Sequence, residues 1–104
     1  MERLEYLDGN GQRKVNLVGK KGKGTDGLGF LSHCDTVPGS KWDQDPLSPV
    51  VKDGRLIGLG SCDMKGPLAA TLVAGADFNA SRFRKPLFIV ITADEENASL
   101  GARH

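Results

Sequence analysis

Residues 86–93, Pro-Leu-Phe-Ile-Val-Ile-Thr-Ala, form a nearly unbroken apolar and β-branched run. A run of this length predicts a strand buried on both faces, hence a central strand in a sheet that other layers must cover. It is followed at once by Asp94-Glu95-Glu96. Three adjacent anions leaving a buried strand repel one another unless water or a cation screens them.

The rest of the chain supplies material to build around that strand. Leu4 and Tyr6, then Val15 and Leu17, alternate with polar residues on either side of Asp8-Gly9-Asn10-Gly11, which predicts a hairpin at the edge of the sheet. Lys20 to Gly27 reads as a basic, glycine-rich loop. Gly22, Gly24 and Gly27 fit a dinucleotide-binding spacing formally, but a strand-like segment, Leu28 to Leu31, follows where that motif needs a helix. Pro38 to Lys52 is rich in Pro, Asp, Ser and Gly, predicting a long loop, and Arg55 to Gly58 a short strand. Leu68, Ala69, Leu72, Val73 and Ala76 recur at helical period, and Pro67 fixes the helix start near Lys65 or Gly66, because proline suits only the first turn. Ser99 to Arg103 is expected to open a further helix. Strand, loop, helix, strand, helix defines an α/β class: a partial sheet with helices packed on it.

The chain has 104 residues, with Lys+Arg 14 against Asp+Glu 13. That balance argues against nucleic acid or an anionic membrane as partner and favours a small molecule. No run approaches the roughly 18 apolar residues of a membrane span, and the first residues lack a secretory apolar region, so a cytoplasmic location is the default expectation. The two cysteines, Cys34 and Cys62, form no Cys-x-x-Cys pair and are read as free thiols, with thiolate ligation a lesser variant. Asn79-Ala80-Ser81 and Asn97-Ala98-Ser99 fit the glycosylation sequon, which has no use without a secretory route.

In an α/β sheet the ligand crevice lies beyond the carboxyl ends of the strands, where His33, Asp35, Asp63, Glu95 and Glu96 are all expected to fall. Each has an ordinary explanation when taken singly. His33 and Asp35 suit a hydrogen-bonded turn, Asp63 suits a helix N-cap, and residues 94–96 suit a solvated acidic turn. Together they supply one imidazole and several carboxylates to a common edge, which suits a hydrolytic metal site with a bridging carboxylate.

Ser32-His33-Cys34-Asp35-Thr36-Val37-Pro38, Trp42 with Asp45-Pro46, Gly58 to Gly66, and Thr92-Ala93-Asp94-Glu95-Glu96 occur in this order. The set resembles the dinuclear zinc aminoacylase and carboxypeptidase family, which includes acetylornithine deacetylase, succinyl-diaminopimelate desuccinylase and carboxypeptidase G. The Gly-Leu-Gly at residues 58–60 and the Asp-Glu-Glu run with Gly101-Ala102-Arg103 lean towards acetylornithine deacetylase-like members. The resemblance implies that His33 and Glu96 are ligands to different zinc ions and that Asp63 bridges both. It also implies that Asp35 orients His33, and that Glu95 is the general base for water attacking an amide carbonyl. The implied cofactor is a pair of zinc ions, with cobalt or manganese as alternatives, and the implied substrate an N-acyl amino acid or peptide.

Cys34, Pro67 and the segment 97–99 depart from the family's usual residues, but none is an implied ligand. The family draws a further carboxylate and a distal histidine from sequence beyond position 104, together with a dimerisation domain that supports a homodimer in the full-length enzyme. Residues 1–104 are therefore expected to be an incomplete catalytic domain, with a hairpin and basic loop at 1–27 and the motif-bearing core at 28–104, and to lack normal turnover alone. A non-catalytic metal-binding or interaction module is the alternative, and an α/β fragment with solvated acidic clusters is a third reading.

Overall fold

The computed structural model describes residues 1–82 and 84–104. Among these, β1 (Glu2–Leu7), β2 (Arg13–Lys21), β3 (Leu28–His33) and β6 (Leu87–Thr92) form one mixed sheet in the order β1-β2-β6-β3. β1 with β2 and β2 with β6 are antiparallel, whereas β3 and β6 are parallel. The strand that the apolar run predicts is thus internal, with neighbours on both sides. The α/β class is what the structure adopts.

The parallel pairing matters most for function. Its register runs from Leu28 opposite Leu87 to His33 opposite Thr92, so both strands end at the same level and release their following residues on one edge. A parallel pair needs a crossover connection, and α1 (Gly66–Asp77) lies within it. Pro67 stands in its first turn, as the sequence requires. At its other end Lys21 Nζ donates to the carbonyls of Gly75 (3.2 Å) and Ala76 (2.7 Å), satisfying two of the acceptors that a helix C-terminus leaves open.

Several local expectations are corrected. β2 runs through Lys20 and Lys21, which pair with Phe88 and Leu87, so the loop begins only at Gly22. Sheet pairing overrides the loop-like composition there, and Lys20 Nζ rests 5.7 Å from the Phe88 ring centroid. Only β1 of the opening hairpin is an edge strand, since β2 pairs on both sides. The segment expected to be loop ends in β4 (Val50–Lys52), which pairs with β5 (Arg55–Ile57). Asp53 (φ 50°) and Gly54 (φ 71°) connect them in left-handed conformations, the geometry that a two-residue hairpin loop demands.

The helical stripe is also used differently. Gly75 is the buried residue of α1, with Leu68 and Thr71 half-buried, whereas Leu72 and Val73 are 44% and 65% exposed. A Cβ at Gly75 would stand 2.6 Å from Ile89 Cδ1, so the helix approaches β6 through its smallest residue rather than its larger apolar ones. Along β6, Leu87 is buried and Phe88 to Thr92 are half-buried, short of burial on both faces among the described residues. The helix expected from Ser99 reduces to one 3₁₀ turn, Gly101–Arg103. Ala98 (φ 58°) and Ser99 (φ 53°) are left-handed, which a right-handed helix cannot accommodate.

Candidate metal centre

His33 is the last residue of β3 and is only 6% exposed. Its Nδ1 lies 3.2 Å from the carbonyl oxygen of Asp35 and 3.6 Å from Asp35 Oδ1. A carbonyl only accepts, so the Nδ1 contact calls for a proton on that nitrogen, and in the neutral ring Nε2 is then the lone-pair nitrogen. Nε2 faces Asp63 Oδ1 at 3.2 Å and Glu95 Oε2 at 3.7 Å. A lone pair aimed at carboxylate oxygens is repulsive unless a cation, a proton or a metal ion, lies between them.

Asp63 reaches this point from the irregular turn Ser61–Lys65 ahead of α1, where Asp63 and Met64 have non-helical φ/ψ and share a cis peptide bond. Gly60 precedes the turn with φ 74°, and a side chain there would run into the Thr36 methyl. Glycine meets both demands at once. Lys65 Nζ donates to the Cys34 carbonyl at 2.6 Å and ties this turn to the end of β3.

The acidic run after β6 divides its three side chains between two environments. Asp94, itself left-handed at φ 55°, turns its carboxylate to Lys14 Nζ (2.8 Å) and accepts from the Tyr6 hydroxyl (3.2 Å). Glu95 and Glu96 face the other way. Their backbone N–H groups donate to Asp35 Oδ1 (3.1 Å) and Oδ2 (3.0 Å), so one carboxylate clamps the loop through both oxygens. Burial is the largest influence on Asp35 and raises its pKa, but these two N–H groups and its own hold it net below the ordinary aspartate value. Burial, reinforced by the Asp94 charge, pushes the Tyr6 phenol up, while the hydrogen bond to Asp94 raises Lys14.

Among the described residues, His33, Asp63 and Glu96 offer one ligand atom each within 4.8 Å of one another. Two carboxylates and an imidazole are hard-to-borderline donors suited to zinc, cobalt or manganese, and the clustering of two anions is a fit that a divalent cation reverses in sign. Cys34 and Cys62 are exposed free thiols and take no place in this cluster. His104, the second histidine, instead stacks on Tyr6 with centroids 4.3 Å apart. Beside the cluster opens a cleft of about 310 Å³ whose lining includes Val37, Trp42 and Leu59 as well as Asp63 and Glu96.

Asn16 has no counterpart in the sequence reading. It is 3% exposed, and its amide bridges two distant points: Nδ2 donates to the Gly101 carbonyl (2.8 Å) and Oδ1 accepts from Ala93 N–H (3.0 Å). Its signal in the sequence is an asparagine between Val15 and Leu17, a poor strand former in a strand interior. A Cβ at Gly101 would overlap the Ala93 carbonyl, so the chain closes there only as glycine.

The parallel strands of this mixed sheet thus end in an imidazole and a carboxylate loop, joined by an aspartate ahead of the crossover helix, a donor set of the kind that suits a divalent cation. Residues 29–104 match Peptidase family M20/M25/M40, and the chain belongs to that family. It is 45% identical over 93 residues, 88% of its own length, to the acetylornithine deacetylase of Proteus mirabilis (strain HI4320). It spans about a quarter (24%) of that relative's length. No helix among the described residues is long and apolar enough to cross a membrane.

Proposed function

We propose that the chain forms the ligand-bearing core of an amide hydrolase that deacylates N-acyl amino acids or removes a terminal residue from a peptide. The observation that carries this reading is the meeting of His33, Asp63 and Glu96 within 4.8 Å, with Asp63 and Glu96 lining the same cleft as Val37, Trp42 and Leu59. His33 and Glu96 would each hold one divalent ion, and Asp63, with two carboxylate oxygens, would bridge them. Bound ions, zinc foremost with cobalt or manganese as alternatives, would make water more acidic and polarise the amide carbonyl.

Everything else falls to the chain's own groups. Asp35 holds the Glu95 and Glu96 backbone through its carboxylate, and its carbonyl oxygen, 3.2 Å from His33 Nδ1, orients the imidazole. Glu95, accepting at Oε1 from the Ser99 hydroxyl (3.3 Å), takes the proton of the attacking water. It then returns that proton to the nitrogen as the C–N bond breaks, releasing a carboxylate and an amine. Three ligands are too few to close two ions. Residues 1–104 are thus read as an incomplete catalytic domain, a further carboxylate and histidine coming from outside them, in a protein with a separate dimerisation domain. A cytoplasmic location and a small-molecule or peptide substrate complete the reading. The similarity to an acetylornithine deacetylase makes N-acetylornithine the first substrate to try.

The test uses the intact protein carrying this chain. Zinc-dependent release of amine from N-acetylornithine, lost in Glu95→Gln with zinc content retained, is the expected result. Zinc binding with no turnover of any N-acyl amino acid or peptide would favour the non-catalytic module, and full activity in Glu95→Gln would refute the assigned base.

A further inference from the structure

We infer that the first two strands are a positioning device for the acidic loop, acting through Lys14, Tyr6 and Asn16 on Asp94, Ala93 and Gly101. This deepens the metal-hydrolase reading and rests on it. Glu95 and Glu96 occupy a short excursion that leaves the sheet at Ala93 and returns at Gly101. Asn16 closes the neck of that excursion, one amide bonding both ends across 77 and 85 residues of sequence. Within the loop, Ser99 N–H donates to the Glu95 carbonyl (2.8 Å) and Leu100 N–H to that of Asp94 (3.0 Å).

Asp94 gives the loop its direction. A left-handed aspartate at φ 55° is disfavoured without external support, and two groups supply it. Lys14 Nζ lies 2.8 Å from Asp94 Oδ1, and the Tyr6 hydroxyl is shared between Asp94 Oδ2 (3.2 Å) and the Ala93 carbonyl (3.3 Å). Tyr6 is 8% exposed and cannot relax towards water, while Lys14 is steadied further by Asp8 at 3.6 Å. With Asp94 pulled to β1 and β2, the next two residues must project to the opposite side, where Asp35 receives their N–H groups and His33 and Asp63 meet their carboxylates. The loop is clamped from both sides, and only one clamp, Asp35, belongs to the ligand edge.

Lys14, Tyr6 and Asn16 are therefore positioning residues, and their test needs readouts that a purely structural contribution leaves untouched. In the intact protein, Lys14→Met should weaken zinc binding, followed by competition with a chromophoric chelator, by about fivefold, the weight of one partly exposed charge-assisted hydrogen bond. In zinc-free protein the Glu95 and Glu96 amides should exchange with solvent faster by a similar factor, while amides of β6 are unchanged. With N-acetylornithine kcat should fall and KM hold, and Lys14→Arg should restore all three. Tyr6→Phe, which removes one hydroxyl and keeps the ring, gives the same signature should Lys14→Met fold poorly. Zinc affinity and loop exchange within twofold of wild type in both variants would overturn the inference. His33→Ala is the separate control: undiminished zinc binding there sinks the metal reading, and the zinc-free exchange rates then decide the tether alone.

Discussion

Replacing Asp35 by asparagine tests the ligand-side clamp most directly. The carboxylate accepts from two consecutive backbone N–H groups, one on each oxygen. An asparagine keeps the shape but has a single oxygen, so whichever way its amide turns, one of the two N–H groups meets an NH₂. The charge-assisted bond lost is worth about 1.5–3 kcal/mol, and the remaining one becomes an ordinary neutral bond. If the loop must be reordered each time an ion binds, that cost appears in the affinity as a loss of roughly ten- to a hundredfold. Chelator competition on the intact protein reads it, with urea denaturation of the metal-free protein beside it. Asp35 is held below its ordinary pKa, so its contribution is present above the unfolded aspartate value and is lost as pH falls through the folded value. The stability gap between wild type and Asp35→Asn should hold at neutral pH and close in acid. A variant with zinc affinity within twofold of wild type and stability within about 0.5 kcal/mol would refute the clamp.

Lys21→Met retains the stem but removes the donor to the Gly75 and Ala76 carbonyls, and should cost about 0.5–1 kcal/mol in urea denaturation with an unchanged slope. Asp8 is held below its ordinary pKa, chiefly by the Gln12 N–H and then by Asn10 N–H and Lys14, against some opposition from burial. Its support of the β1–β2 turn should therefore persist above about pH 4 and fade below it, seen as a falling protection factor of the Gln12 amide in wild type and a pH-independent one in Asp8→Asn.

The sequence carried the frame of this molecule unevenly. The run at 86–93 announced an internal strand because a continuous β-branched run suits a strand with neighbours on both sides, and Pro67 dated the helix because its ring suits only the first turn. Lys20 and Lys21 were unreadable as strand since their pairing partners lie far along the chain. The division of residues 94–96 was equally hidden. Three neighbouring acids look alike in sequence, and only the left-handed backbone of Asp94 sends the first to Lys14 and the other two towards His33. Asn16 left a faint trace, a weak strand former within a strand, without any hint of what its amide would join.

β3 and β6 come from opposite halves of the polypeptide, and their parallel register is what places His33 near Glu96. During synthesis the imidazole emerges before Asp63 and long before Glu96, so the three donors coexist only once β6 has followed. High contact order of this kind is slow to form, and nothing local can stand in for it. Under the proposed metal reading, a cation that needs all three donors would recognise the finished topology and stabilise it by mass action.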